Sequence, residues 1–143
     1  VLSGVGNGYS ITVNQAPVRG YPNFKNLPIG LFVRDVFERC DSFNAAVKYM
    51  ACHGSIFPAL IHIVSPKDSK IIELFPHGKN TIINANAVTN HYLSSSYCID
   101  QDWLDDSLYR LKMVKSHGIR STINNATIYT CRIDPDKGSI NLI

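Results

Sequence analysis

Several features are scarce in this sequence, and each scarcity narrows what the chain can be. No apolar run approaches the ~18–20 residues of a helical membrane span. Charge of one sign is also scarce. The 14 Lys and Arg against 11 Asp and Glu leave a formal charge of +3, with the cations spread along the chain. No basic stripe interleaves with aromatics, so nucleic acid is not an expected partner. The first residues, V-L-S-G-V-G-N-G, lack a basic region followed by an apolar core and do not read as a signal peptide. The five histidines show no metal-ligand spacing, and the Cys52-His53 pair has no second half, so neither zinc nor another cofactor is expected. No Ser-His-Asp constellation can be placed, and the Cys-His pairs offer no orienting third group. G-V-G-N-G invites comparison with a phosphate loop. Its strand follows the glycines instead of preceding them, and no helix opens on them.

What remains is a globular composition. An apolar fraction of 45% against a charged fraction of 17% suits a folded domain, and 143 residues suffice for one core. Four cysteines are scattered. Cys40 and Cys131 sit in apolar-periodic stretches, where the side chain acts as a small hydrophobe. Their even number permits disulfides without any spacing that demands them, which leaves the compartment open. Asn125 opens an N-A-T glycosylation sequon.

The pattern along the chain alternates between periods of two and of about four. Residues 8–14 alternate apolar and polar and predict a strand, with a loop or bend over Gly4, Gly6 and Gly8 before it. Residues 15–27 hold Pro17, Gly20 and Pro22 and read as a loop. Pro28 suits a first helical turn, and Phe32, Val33, Val36, Phe37 and Cys40 then form one face of an amphipathic helix. Ser42 reads as the N-cap of a second helix whose stripe is Phe43, Ala46, Val47, Met50 and Ala51. Three β-rich runs follow at 59–65, 70–75 and 80–86, with tight connections that argue for an antiparallel meander, and 88–93 continues from the third. A polar loop precedes a helix from Asp102 to about His117, stopped by Gly118. Residues 127–133 predict a strand, D-P-D-K-G a turn, and 139–143 a partner strand. The expected class is α+β in a single domain over 1–143, order β-αα-βββ-α-ββ, with antiparallel strands.

Three residues stand out chemically. Asn90 follows Thr89 where a strand is expected to end. Its amide can donate to a developing oxyanion, a contact worth about 3 kcal/mol, or it can simply build a turn. Arg110, on the predicted helix beside Trp103 and Val114, borders the Leu104/Leu108/Leu111 stripe. There it can hold a thiolate or carboxylate ionised, or pair with Asp106 one turn back. Asn14 closes the first strand, either reaching a site or ending the strand. His62 falls on the polar phase between Ile61 and Ile63, and His91 reads as a partly exposed residue at a strand end.

Five stretches, taken in order, resemble a known superfamily. They are S-I-T-V-N-Q at 10–15, I-G-L-F-V-R-D-V-F-E at 29–38 with F-N-A-A-V-K-Y-M after it, V-T-N-H-Y at 88–92, W-L-D-D at 103–106, and T-I-Y-T-C-R-I-D-P-D-K-G-S-I at 127–140. Together they are similar to the back half of the cysteine N-terminal-nucleophile (Ntn) amidases, which include the choloylglycine hydrolase, acid ceramidase and isopenicillin-N acyltransferase-like branches. The resemblance implies an αββα sandwich in the complete protein and hydrolysis, or acyl transfer, at a linear amide of a small-molecule or lipid substrate. An N-terminal Cys would attack, its own α-amine serving as base. The family's oxyanion asparagine maps onto Asn90. Its arginine falls on Arg110 in the Asp-Ser-x-x-Arg register of the acyltransferase-like branch, whereas in the ceramidase register Ser107 stands where arginine belongs. Asn14 lies where some members carry a site residue.

None of the four cysteines is N-terminal, so the resemblance implies a chain that lacks the attacking thiol and is inactive alone. Both ends read as cut from a larger pattern. A missing front half would leave a sheet edge and a helix layer uncovered, to be closed by the lost part or by a second copy. The alternative is a noncatalytic α+β binding or interaction module that kept the scaffold without the chemistry.

Overall fold

A computed structural model describes residues 2–16, 21–94, 101–122 and 131–142. The fold is α+β: an antiparallel sheet of five strands, three helices and a separate two-stranded hairpin. In chain order the elements are β1 (Leu2–Gly6), β2 (Tyr9–Gln15), α1 (Ile29–Arg39), α2 (Phe43–Cys52), β3 (Ala59–Val64), β4 (Ser69–Leu74), β5 (Thr81–Ile83), α3 (Gln101–His117), β6 (Cys131–Asp134) and β7 (Ser139–Leu142). The sheet runs β1-β2-β3-β4-β5, and β6 pairs with β7. The expected meander is present, and the two helices before it are inserted between β2 and β3.

The first departure from the sequence reading is β1. The glycine-rich start was expected to bend, yet it pairs with β2 from Leu2↔Val13 to Gly6↔Tyr9. The two-residue connection is Asn7 (φ 55°) and Gly8 (φ 75°). Both lie in the left-handed region, the combination that matches the twist of a tight hairpin and that Asn-Gly adopts most readily. Gly4, inside the strand, answers to a neighbour. A Cβ on Gly4 would lie 2.8 Å from Phe37 Cε2, so the bare backbone lets the Phe37 ring approach the strand. That ring stacks on Tyr9 with centroids 5.0 Å apart. Asn7 Nδ2 then donates to the carbonyls of Phe37 (3.0 Å) and Cys40 (2.9 Å), fastening the turn to the end of α1. Tyr9 adds a hydroxyl bond to Cys40 O at 3.0 Å, and burial pushes its phenol up to about 12.

The main core lies between one face of the sheet and α1 and α2. Tyr9, Ile11, Val13, Ile61, Ile63, Ile72 and Leu74 meet Phe32, Val33, Val36, Ala46 and Met50 there. Each large side chain removed from water in this layer contributes about 1.5–3 kcal/mol. Pro28 stands at the N-cap position, one residue before the helix it was expected to open. Ser42 caps α2 as expected, its Oγ accepting from Ala45 N at 3.4 Å. Of the expected stripes, Phe37 in α1 and Phe43, Val47 and Ala51 in α2 are only partly buried.

The second departure concerns residues 80–93. The third meander strand is only Thr81–Ile83, and no strand covers 88–93. Ala85, Val88, Tyr92 and Leu93 instead pack on the opposite face of the sheet against Leu60 and Ile71. The physical reason is that side chains, not a neighbouring strand, take up this segment's backbone groups: Asn14 binds Thr89 O, Ser107 accepts from Asn90 N and Glu73 accepts from Leu93 N and Ser94 N. Helix α3 starts one residue before the expected Asp102 and ends at Gly118, whose φ of 80° breaks the helical path. The expected strand over 127–133 is seen as β6 from Cys131. Residues 127–130, the glycosylation triplet and most of the polar loop before α3 lie outside the described residues.

Candidate functional site

The end of β2, residues 89–91 and one face of α3 converge. Their cross-links are reciprocal. Asn14 Nδ2 donates to Thr89 O at 3.1 Å, and Asn90 Nδ2 donates to Gln15 O at 3.0 Å. Adjacent residues of two segments 75 positions apart thus exchange amide-to-carbonyl bonds. Asn14 is therefore a tether that holds the 89–90 segment against the sheet, and β2 fixes where it stands.

Arg110 reaches the same amide from α3. Its Nη1 donates to Asn90 Oδ1 at 3.2 Å, and its Nε to Asp106 Oδ2 at 2.8 Å. Of the two sequence readings of Arg110, the i,i+4 pair with Asp106 is present through Nε, while Nη1 meets the neutral Asn90 amide. The contacts also settle the orientation of the Asn90 amide. A guanidinium has no acceptor, so the atom facing it is oxygen. A carbonyl has no donor, so the atom facing Gln15 O is nitrogen. One Asn90 N–H is used by Gln15, and two of the five Arg110 N–H groups are used by Asn90 and Asp106. The pair keeps further donors that no described residue takes up. The Arg110 side chain is 27% exposed, within reach of solvent and a small molecule.

Beneath this pair is a buried hydroxyl cluster that the sequence reading did not find. Ser107 is fully buried, three residues before Arg110 on α3. Its Oγ accepts from Asn90 N at 3.0 Å and donates to Thr89 Oγ1 at 2.9 Å. Thr89 Oγ1 in turn donates to Ser107 O at 2.8 Å. His91 Nδ1 lies 2.9 Å from Ser107 Oγ. With the serine proton directed at Thr89, His91 supplies its own Nδ1–H, which fixes the neutral tautomer. Burial, and after it the nearby Arg110 charge, push the His91 pKa below its ordinary value.

His91 was read as partly exposed at a strand end. It is 6% exposed and serves as a hydrogen-bonding strut. A Ser-His pair at this distance has the look of a nucleophile and its base, but Ser107 has no exposed surface and its oxygen already accepts the Asn90 N–H. The cluster fixes geometry. The signal available in sequence was D-S-x-x-R, which sets Ser107 and Arg110 about one turn apart on a common face of the helix.

Three other histidines contact residues away from this cluster. His62 Nε2 lies 2.8 Å from Ser69 Oγ, with its pKa lowered by burial. The His53 ring stacks on Tyr49 at 4.0 Å, and His77 Nε2 lies 2.9 Å from Tyr21 O. Cys40 is buried, and burial pushes its thiol up. Cys52 is exposed at the end of α2, and Cys98 lies outside the described residues. An open groove of about 420 Å³ runs along a neighbouring face of α3, lined by Leu108, Leu111, Lys112, Lys115 and Ser116. It does not include Asn90 or Arg110. No helix is long and apolar enough to cross a membrane among the described residues.

No family model matches the chain, and no curated protein matches it.

Proposed function

We propose that this chain forms part of an amidase or acyltransferase of the cysteine Ntn type, acting on a linear amide of a small-molecule or lipid substrate. Asn90 presents its second N–H, which no described residue takes up, to the oxyanion that forms when a thiol adds to the amide carbon. Arg110 holds the oxygen end of that amide and offers its remaining donors to an anionic group beside it. In this reading the attacking thiol is neither Cys40 nor Cys52. Cys40 is buried, and neither it nor Cys52 is bonded to Asn90 or Arg110. In the reaction the sulfur bonds to the carbonyl carbon, and its proton passes through the α-amine of the same residue to the departing amine. Water or an acceptor amine then releases the acyl group.

The observation that carries this reading is the fixed Asn90 amide, oxygen to Arg110 at 3.2 Å and nitrogen to Gln15 O at 3.0 Å. A donor locked before the charge appears needs no reorganisation at the transition state, which is the source of oxyanion-type stabilisation. The sheet supports the sandwich architecture that goes with this chemistry. Helices α1 and α2 cover one face, and the other carries Ser10, Thr12, Asn14 and His62 beside Leu60 and Ile71. We assign the part of that second face left uncovered by residues 85–94, around Thr12 and His62, to the inner side of an αββα sandwich.

The test is an assay of the full-length gene product against a panel of N-acyl amides, with mass spectrometry for an acyl-thioester. Hydrolysis with a trapped thioester, and neither from the 143-residue chain alone, supports the reading. Turnover by the chain alone overturns it. So does binding of the amides by the full-length product without turnover, the result expected of a noncatalytic module.

A further inference from the structure

Glu73 takes no part in the chemistry proposed above, yet it is an acidic residue with no exposed surface. It lies next to last in β4, opposite Leu60 of β3, on the sheet face that carries residues 85–94. None of the ion pairs among the described residues involves it. A carboxylate in such a place is retained only if donors replace the water it has lost. The donors come from two consecutive residues. Oε1 accepts from Leu93 N, and from Ser94 N at 3.2 Å, while Oε2 accepts from the Ser94 hydroxyl. The next residue of β4 continues the clamp, because Leu74 O accepts from Tyr92 Oη at 2.8 Å.

Residues 92, 93 and 94 are thus held in succession by the end of β4. Residues 89 and 90 are held by the end of β2 and by Ser107. Asn90 stands between two anchors. Removing the second would leave the partly buried N–H groups of Leu93 and Ser94 without their carboxylate acceptor, and the segment would shift toward water to satisfy them.

We propose that Glu73 is a positioning residue for Asn90: its carboxylate staples Leu93 and Ser94 to β4 and so keeps the Asn90 amide in register with Arg110. This rests on the oxyanion role given to Asn90 above.

The experiment compares Glu73→Leu, Glu73→Gln and a control, Val36→Ala, in the full-length protein. Val36 is buried in the α1–sheet core, on the other face of the sheet, so the control lowers stability without touching the clamp. Two readouts are taken: amide hydrogen exchange at Leu93 and Ser94 with the Asn90 side-chain N–H₂ resonance, and steady-state amide hydrolysis. In Glu73→Leu, exchange at Leu93 and Ser94 rises, the Asn90 resonance moves, and kcat falls roughly 100-fold with KM little changed, as for a reacting group displaced by about 1 Å. Glu73→Gln keeps an oxygen for the two backbone N–H groups and turns its amide to the Ser94 hydroxyl. It restores kcat to within about tenfold of the wild type. Val36→Ala leaves kcat and the Asn90 resonance unchanged.

Should Glu73→Leu fail to fold, Ser94→Ala serves in its place. It raises Ser94 exchange and shifts the Asn90 resonance. Unchanged exchange and an unchanged Asn90 resonance in these variants overturn the proposal, as does an equal loss of kcat in Val36→Ala. If the wild type shows no amide hydrolysis, the amidase reading fails by itself, and exchange with the Asn90 resonance still decides whether Glu73 holds this segment.

Discussion

Asn90 and Arg110, twenty residues apart, share a 3.2 Å hydrogen bond in which the guanidinium holds the oxygen end of the amide. The bond joins an irregular segment to the middle of α3. It leaves the nitrogen end of Asn90 with one N–H toward Gln15 O and one that no described residue takes up. Several consequences can be measured.

Ser107 is the structural base of that pair. Its hydroxyl serves Asn90 N, Thr89 Oγ1 and His91 Nδ1 from a fully buried position. Ser107→Ala removes one oxygen and leaves buried polar groups unsatisfied, a loss expected at about 1–3 kcal/mol. Ser116→Ala, on the exposed last turn of the same helix, is expected within about 0.5 kcal/mol of the wild type. Urea denaturation of the two variants checks the contrast. Equal midpoints would show that the buried cluster contributes nothing particular.

His91 gives the fold a pH dependence of known sign. Its pKa is lowered from 6.5 in the folded state, by burial first and by Arg110 second, so the unfolded chain binds the proton more readily. Stability conferred by neutral His91 is therefore fully present above its unfolded value and is lost as pH falls below about 6.5 toward the folded one. His62, lowered by burial, adds a slope of the same sign. The expected result is a melting temperature that declines on acidification below neutrality, and more shallowly in His91→Asn. A profile that stays flat below that value in the wild type contradicts the buried neutral imidazoles.

The first hairpin depends on a bare backbone under an aromatic ring. A side chain at Gly4 meets Phe37 Cε2 at 2.8 Å. Gly4→Val is expected to cost about 1–3 kcal/mol by overpacking. The added change Phe37→Leu, which shortens the obstructing side chain, is expected to recover part of that cost. A double-mutant cycle in denaturant checks this. Strict additivity of the two changes would place the ring elsewhere.

The sequence made most of the layered core legible because its periodicities are strong. Phe32, Val33 and Val36 on one helix and Ile61 and Ile63 on one strand carry their faces in the spacing alone. The first strand was hidden because Gly4 and Gly6 argue for a bend. A ring packed across the strand, Phe37, explains Gly4, and its approach is a tertiary fact. The Asn-Gly turn was the local clue to the hairpin, and it was passed over.

Thr89 and Asn90 looked like a strand exit because V-T-N-H-Y has strand composition. Yet their backbone groups go to Asn14 and Ser107, residues 75 and 17 positions away, contacts that no local pattern encodes. For the same reason Asn90 and Arg110 were singled out while Ser107 and Glu73 were not. A buried hydroxyl and a buried carboxylate have no periodic signature.

The most direct test of the amidase account is a double-mutant cycle on kcat in the full-length gene product, using Asn90→Ala, Arg110→Ala and both together. The account predicts amide hydrolysis by the wild type and a loss of about 10²–10³ in kcat for Asn90→Ala, the size of one oxyanion donor. It also predicts a double variant that loses far less than the product of the single losses, because Arg110 acts on the amide that Asn90 carries. Wild-type rates in both single variants, or fully independent losses, would contradict it.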